Sequence, residues 1–339
     1  MNRRVQWILL LGLVATLASC RELAIPPAGS YSDVLLVTEA GAGDRWARKI
    51  RPYIEVEHDY VTTQETGFTI QNIRAADLGE FPTVKTIVIC GVMDSGTDVG
   101  LKIIDLIGPG GVQRVAHGKA TILKKEDRPA PGQATVIVTA KSADALASVL
   151  AKRGGELERI LEESCQRRLR RALMAHTSVS LERRLYRKYG FTMKIPYLYR
   201  LMSDEANGPT PGVELMRDAP VRDIGIFWSD WDKQPTLYDR DALFAFRAQH
   251  VWRRYDHDRM DPNRVRYTLT RFATYPAVRM AGYWYNQNDV AGGYFETYLI
   301  WDKSSKLLWA VDLLVFAPAR AKHPLVCELR AVAETFRYN

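Results

Sequence analysis

Residues 282–318, GYWYNQNDVAGGYFETYLIWDKSSKLLWAVDLLVFAP, restrict the fold more than any other stretch of this chain. Apolar and aromatic runs at 278–285, 295–301 and 307–316 follow one another with only short polar links between them. A crossover between parallel strands needs a dozen or more residues, so links this short predict antiparallel neighbours. Asn286-Gln287-Asn288-Asp289 is turn-prone, Gly292-Gly293 marks a place where backbone freedom is needed, and residues 302–305 form a four-residue link. The run 307–316 carries few charges and reads as a central strand covered on both faces.

The remainder supplies both strands and helices. Valine- and isoleucine-rich runs at 33–38 (DVLLVT), 86–92 (TIVICGV) and 135–139 (TVIVT) predict buried strands, and 68–73 and 120–124 two more. Helices are predicted after Asp44, after Asp98 as far as a stop at Gly108-Pro109-Gly110-Gly111, after Ser142, and from 156 towards 176. In the last of these, Leu157, Leu161, Cys165, Leu169 and Leu173 mark a buried stripe. The second half reads as strands at 191–201, 223–228 and 266–272, a helix over 240–255, the strand run above, and a closing helix over 322–336. Both halves thus read as strand, helix, several strands, then a strand leading into a long helix. The fold class expected is α+β, a largely antiparallel sheet with helices packed on one face, as two related α+β halves at 33–177 and 178–339.

Ahead of these halves, Arg3 and Arg4 precede an apolar run from Trp7 to Ala18 that is too short for a permanent transmembrane helix and reads as an export signal. It ends at Leu17-Ala18-Ser19-Cys20, which resembles the lipobox of bacterial lipoprotein precursors. That resemblance implies a signal peptide over 1–19, cleavage before Cys20, acylation of its thiol, and a lipidated tether over 20–32 with Pro26, Pro27 and Gly29. Several acyl chains at about 0.8 kcal/mol per buried methylene give a permanent anchor. Arg21 stands where an aspartate would favour inner-membrane retention, so the expected location is the outer membrane. Of 339 residues 47% are apolar and 25% charged, ordinary globular material, and the formal net charge is +8. Positive charge alone suggests nucleic acid, but export removes the chain from it, and an anionic lipid surface is the more available partner. Cys90, Cys165 and Cys327 sit within predicted strands or helices without metal-ligand spacing. They read as buried thiols, although an oxidising compartment permits one bridge.

No stretch has the spacing of a known catalytic motif. The glycines at 108–111 and Gly118-Lys119 follow a helix and precede a strand, the reverse of a phosphate loop. Asp256-His257-Asp258 with Asp261 has the donor types for a metal or for acid–base work, the basis of a metal-assisted hydrolase reading, yet neighbours on an extended chain point to opposite sides. Tyr283, Trp284, Tyr294 and Trp301 belong to an aromatic-rich sheet whose rings either stack on a glycan or peptide or fill a core. Arg167, Arg168, Arg170 and Arg171 are either a solvated face or one lying on anionic lipid. No cofactor, metal or catalytic residue is expected. The partners expected are the membrane, through acylated Cys20, and an envelope protein or glycan, with no nucleic acid; the role expected is non-catalytic interaction or structure.

The run 282–318 also resembles an uncharacterised lipoprotein family, domain of unknown function 4837. Gly282, Trp284, Asp289, Gly292, Gly293, Phe295 and Ala317-Pro318 match its landmarks, while Tyr294 replaces a proline and Ala291 a methionine. Asp33 to Val37, Trp46 and Gln64-Glu65 to Phe68 are similar to its N-terminal landmarks. The resemblance implies an envelope location and a lipid anchor, and names no reaction.

Overall fold

A computed structural model describes residues 30–60, 64–81, 84–119, 121–128, 132–255, 257–318 and 320–338. The expected signal peptide, Cys20, nearly all of the expected tether, and Asp256 lie outside the described residues. Along the chain run β1 (Asp33–Thr38), α1 (Arg45–Ile50), β2 (Glu57–Asp59), β3 (Gln64–Thr66), β4 (Thr69–Arg74), β5 (Thr86–Val92), α2 (Asp98–Ala116), β6 (Ile122–Glu126), β7 (Ala134–Ala140), α3 (Ala143–Arg153), α4 (Glu156–Leu173) and α5 (Val179–Tyr189). Then follow β8 (Phe191–Thr192), β9 (Arg200–Glu205), β10 (Gly212–Arg217), β11 (Val221–Asp230), α6 (Arg240–Arg254), β12 (Arg259–Met260), β13 (Arg266–Phe272), β14 (Tyr275–Asn286), β15 (Ala291–Asp302), β16 (Leu307–Phe316), α7 (His323–Ala333) and β17 (Arg337–Tyr338). The α+β class holds, and most strand pairs are antiparallel.

Two compact units divide the chain. The first takes the described residues up to Tyr53 together with Thr69–Leu157; the second takes Ile54–Phe68 and the chain from Glu158 onward. The boundary therefore falls about twenty residues before the expected 177, and a short hairpin, β2 with β3, is lent to the second unit.

In the first unit the strand order is β4-β1-β5-β7-β6, with all neighbours parallel except β6 against β7. A parallel strand flanked on both sides is covered on both faces, which is why β7 is buried at every position and β5 at all but its last. The expected stop in α2 is a kink. Gly108 takes a left-handed φ of 66°, and a second helical segment restarts at Pro109, whose fixed φ and missing N–H suit a first turn. The N-cap is Thr97 rather than Asp98: its hydroxyl accepts from the Gly100 N–H.

The second unit is built on an eight-stranded antiparallel sheet, β12-β14-β15-β16-β11-β10-β9, with β13 also pairing β14. The two halves are thus not copies of one another, since one sheet is mostly parallel and the other antiparallel. Helices cover both faces of the larger sheet, not one. Val326, Leu329 and Val332 of α7 and Leu185 of α5 pack with Tyr294, Tyr298, Ile300, Trp309, Val311 and Leu313. Leu243, Phe246 and Val251 of α6 pack on the opposite face with Trp284, Phe295, Leu299, Leu308 and Leu314. Residues of β15 and β16 alternate between these cores with the period of two that strands impose. The glycine pair in β15 is required for room rather than for dihedral freedom: a Cβ on Gly292 would lie 2.0 Å from the Tyr283 hydroxyl, and one on Gly293 2.0 Å from the Val315 carbonyl oxygen.

Candidate functional site

A cleft of about 380 Å³ opens on the α6 face of the second unit. Its acidic wall comes from neighbouring strands. Glu214 on β10 pairs with Gly225, and Asp223 on β11 with Met216, so both carboxylates emerge on one face of the sheet one step apart. Tyr255, the residue after α6, projects its hydroxyl onto Gly225, where a Cβ would stand 2.3 Å from that oxygen. Glycine is what admits the ring. Asp258 completes the acidic side and accepts from the Asn286 amide at 2.9 Å. Met216, Val221, Trp284, Leu314 and Phe316 form the apolar wall.

The electrostatics of this cleft are unusual for a sheet surface. Burial, then the negative charge of Glu214 and Asp312, pushes the Asp223 carboxyl up to about 8. Glu214 is also raised, by burial, against the lowering pull of its hydrogen bond from Ser203 and the charge of Arg254. The guanidinium in the wall, Arg254, donates to the Ser203 hydroxyl at 2.9 Å and to the Thr210 carbonyl at 2.6 Å, and its Nε is buried without a hydrogen-bond partner among the described residues. Among the described residues, Asp223 Oδ1 and the Tyr255 hydroxyl are buried without a hydrogen-bond partner. Buried polar atoms are normally paired, so each exception calls for a partner such as water, an ion or a ligand.

One consequence is a stability trade-off. A carboxyl raised in the fold holds its proton more tightly folded than unfolded, so its contribution is fully present below the ordinary carboxylate range near 4 and is lost as pH rises through about 8. Asp223→Asn, which keeps the shape and removes the titration, is expected to flatten that decline. Thermal melts of both proteins between pH 5 and pH 9 should diverge progressively, with the variant melting higher at the alkaline end.

The candidate residues of the sequence are dispersed. Of the 256–261 loop, described from His257 onward, only Asp258 enters the cleft. The His257 ring lies edge-on to Trp252 at 4.5 Å, and Asp261 caps a short turn by accepting from the Asn263 N–H. Trp284 and Tyr294 are buried in the two different cores, while Tyr283 and Trp301 are half-buried, so the four rings form no common platform. Along the basic helix, Arg168 is buried and donates to the Ser164 carbonyl, and Arg170 pairs with Glu334, leaving Arg167 and Arg171 exposed. The face is narrower than the sequence suggests because the helical period carries Arg167 and Arg171, four residues apart, to the outer side and Arg168 to the buried one. Cys90, Cys165 and Cys327 are all buried, and none forms a disulfide.

The strands and the α6 end that form much of the cleft, Arg254 to Phe316, fall within one matched segment. Residues 249–335 match the model of domain of unknown function DUF4837. The DUF4837 segment contributes Arg254, Tyr255, Asp258, Trp284 and Asn286 to the cleft; Glu214 and Asp223 precede it. No curated protein matches the chain. Glu214 and Asp223 escaped sequence analysis because each stands alone in a strand pattern, and only the β10–β11 register brings them together.

Proposed function

We propose that this chain is a lipid-anchored cell-envelope protein whose second unit binds a small cationic ligand, an ammonium or guanidinium on an apolar body, in the Glu214–Asp223–Tyr255 cleft. The observation that carries the reading is the pair of unpartnered buried oxygens, Asp223 Oδ1 and the Tyr255 hydroxyl, beside Glu214. An ammonium has three donors and a positive charge. It would satisfy those oxygens, offset the burial that keeps Asp223 protonated, and lay its hydrocarbon against Trp284, Leu314 and Phe316. The ordered acids also make the cleft a poor host for anions. A non-catalytic role agrees with this chemistry, since no nucleophile or paired acid and base of known reaction geometry is required of it.

Calorimetric titration with phenethylamine, and with 2-phenylethanol as the neutral control, tests the proposal. The amine is expected to bind with release of close to one proton at pH 7, seen by repeating the titration in buffers of different ionisation enthalpy, and to bind more tightly as pH approaches 8. Asp223→Asn should weaken it at least tenfold. Equal binding of amine and alcohol, or an unaffected variant, would overturn the reading.

The anchor is supported by the Leu17–Cys20 tetrad and the export-type run before it. Among the described residues no helix is long and apolar enough to cross a membrane. Mass spectrometry of the N-terminal peptide from native membranes should find Cys20 as the first residue carrying acyl mass. An N-terminus still beginning at Met1 without lipid would remove the anchor, the outer-membrane location and the envelope partners together.

A further inference from the structure

The geometry points to a divalent transition-metal site in the second unit, with His58, Glu162 and His323 as ligands. It shares no residue with the carboxylate cleft, so the two proposals stand or fall separately. His58 is on β2, Glu162 on α4 and His323 begins α7. Their ligand atoms lie within 4.8 Å of one another. Bond lengths of 2.0–2.2 Å around a tetrahedral ion place its ligands about 3.4 Å apart, so binding asks for small rotations rather than a rearranged backbone.

Each ligand is held by something that fits this use. Glu65 of β3 accepts from the backbone N–H groups of Lys322 and His323, at 2.6 and 3.0 Å, and so ties the hairpin to the start of α7. Gly67 has no side chain between the imidazoles, where a Cβ would come within 2.6 Å of His58 Nε2 and 3.3 Å of His323 Cε1. The ring centroids stand 4.6 Å apart. His323 is 2% exposed, and its Nδ1 lies 2.7 Å from the Tyr60 hydroxyl. In the tautomer that donates Nδ1–H to that oxygen, Nε2 keeps its lone pair, with the weakly bonding Cys327 thiol 3.4 Å away. A hydrogen-bonded partner on the far nitrogen is the usual outer shell of a metal-bound histidine.

The second observation is at His58. Its Nε2 is buried without a hydrogen-bond partner among the described residues, yet two carboxylates converge on it, Glu158 at 3.3 Å and Glu162 at 3.7 Å. Two acids one helical turn apart, aimed at one imidazole nitrogen that faces a second imidazole, are arranged as ligands around a cation. Mixed imidazole and carboxylate donors select zinc and its neighbours over calcium or magnesium, which take oxygen.

Titration of the metal-free full chain with Zn2+ against a chromogenic chelator at pH 7.5 is expected to show one tight equivalent that millimolar Mg2+ does not displace. His58→Ala and Glu162→Gln, both at half-buried positions, should each weaken it at least tenfold, with circular dichroism confirming the fold. Tyr60→Phe should weaken it by about 10-fold or more, as outer-shell changes do. Absence of a tight equivalent would overturn the proposal. So would unchanged affinity in His58→Ala and Glu162→Gln, or loss of binding in Cys327→Ser alone, which would place the ion on the thiols instead.

Discussion

Glu296→Gln destabilises the second unit by about 3–5 kcal/mol, the cost of breaking a buried ion pair from one side. Glu296 is fully buried on β15 and gathers four donors: Arg330 from α7 at 2.8 and 2.5 Å, Arg279 from β14, and the hydroxyls of Tyr294 and Tyr298 at 2.7 and 2.8 Å. Burial works to raise its carboxyl, and Arg330 followed by Arg279 overrides it, holding the group far below the usual carboxylate range. A carboxyl lowered in the fold stabilises it above the unfolded value near 4, and that contribution is lost as pH falls through the folded one. The wild-type protein should therefore lose stability on acidification below about pH 4 more steeply than the variant. Urea unfolding followed by near-ultraviolet circular dichroism, which reports the packed tyrosines and tryptophans here, reads both effects. A variant as stable as the parent at pH 7, with the same acid limb, would show that the two arginines are satisfied without this carboxylate.

Arg247→Met has an effect of similar size on the opposite face of the same sheet. Arg247 is fully buried, donates to Asp312 at 2.8 and 3.0 Å and to the Thr297 hydroxyl at 2.7 Å, and lies over the Phe295 ring at 3.6 Å. Removing the guanidinium leaves the Asp312 carboxylate in a core with Thr297 as its one donor among the described residues, expected to cost about 3–5 kcal/mol. The double variant Arg247→Met with Asp312→Leu removes both charges from an apolar surround, and should recover most of the loss. If the double variant is as unstable as the single one, the arginine acts by its shape rather than its charge.

The contrast between the two buried arginine clusters and the cleft explains much of what was legible beforehand. Hydrophobic period located the strands of 275–316, with 307–316 matched to the residue and the other two started three and four residues late, because a two-residue alternation with short links has few other solutions. It did not separate parallel from antiparallel pairing in the first unit. A buried strand such as ATVIVTA is uniformly apolar whichever way its neighbours run. Helices on both faces of the larger sheet were hidden for a related reason: α6 and α7 each show one apolar stripe, and a stripe does not say which face of a sheet receives it. No local pattern marks the charged residues Arg247, Asp312 and Glu296 as partners, although their strand and helix positions turn them into the cores.

What this sequence determined unaided is local: the α+β class, the hairpin series of β14 to β16, and the match of 249–335 to a domain of unknown function. Each depends on residues close together in the chain, where period, turn chemistry and small motifs act. Tertiary structure alone decided which polar groups meet. Glu214 joins Asp223 through strand register, and His58, Glu162 and His323 converge from a hairpin and two helices more than 100 residues apart along the chain. Side chains so distant in sequence share no pattern that the chain can display, because their proximity is created by the packing of the cores beneath them.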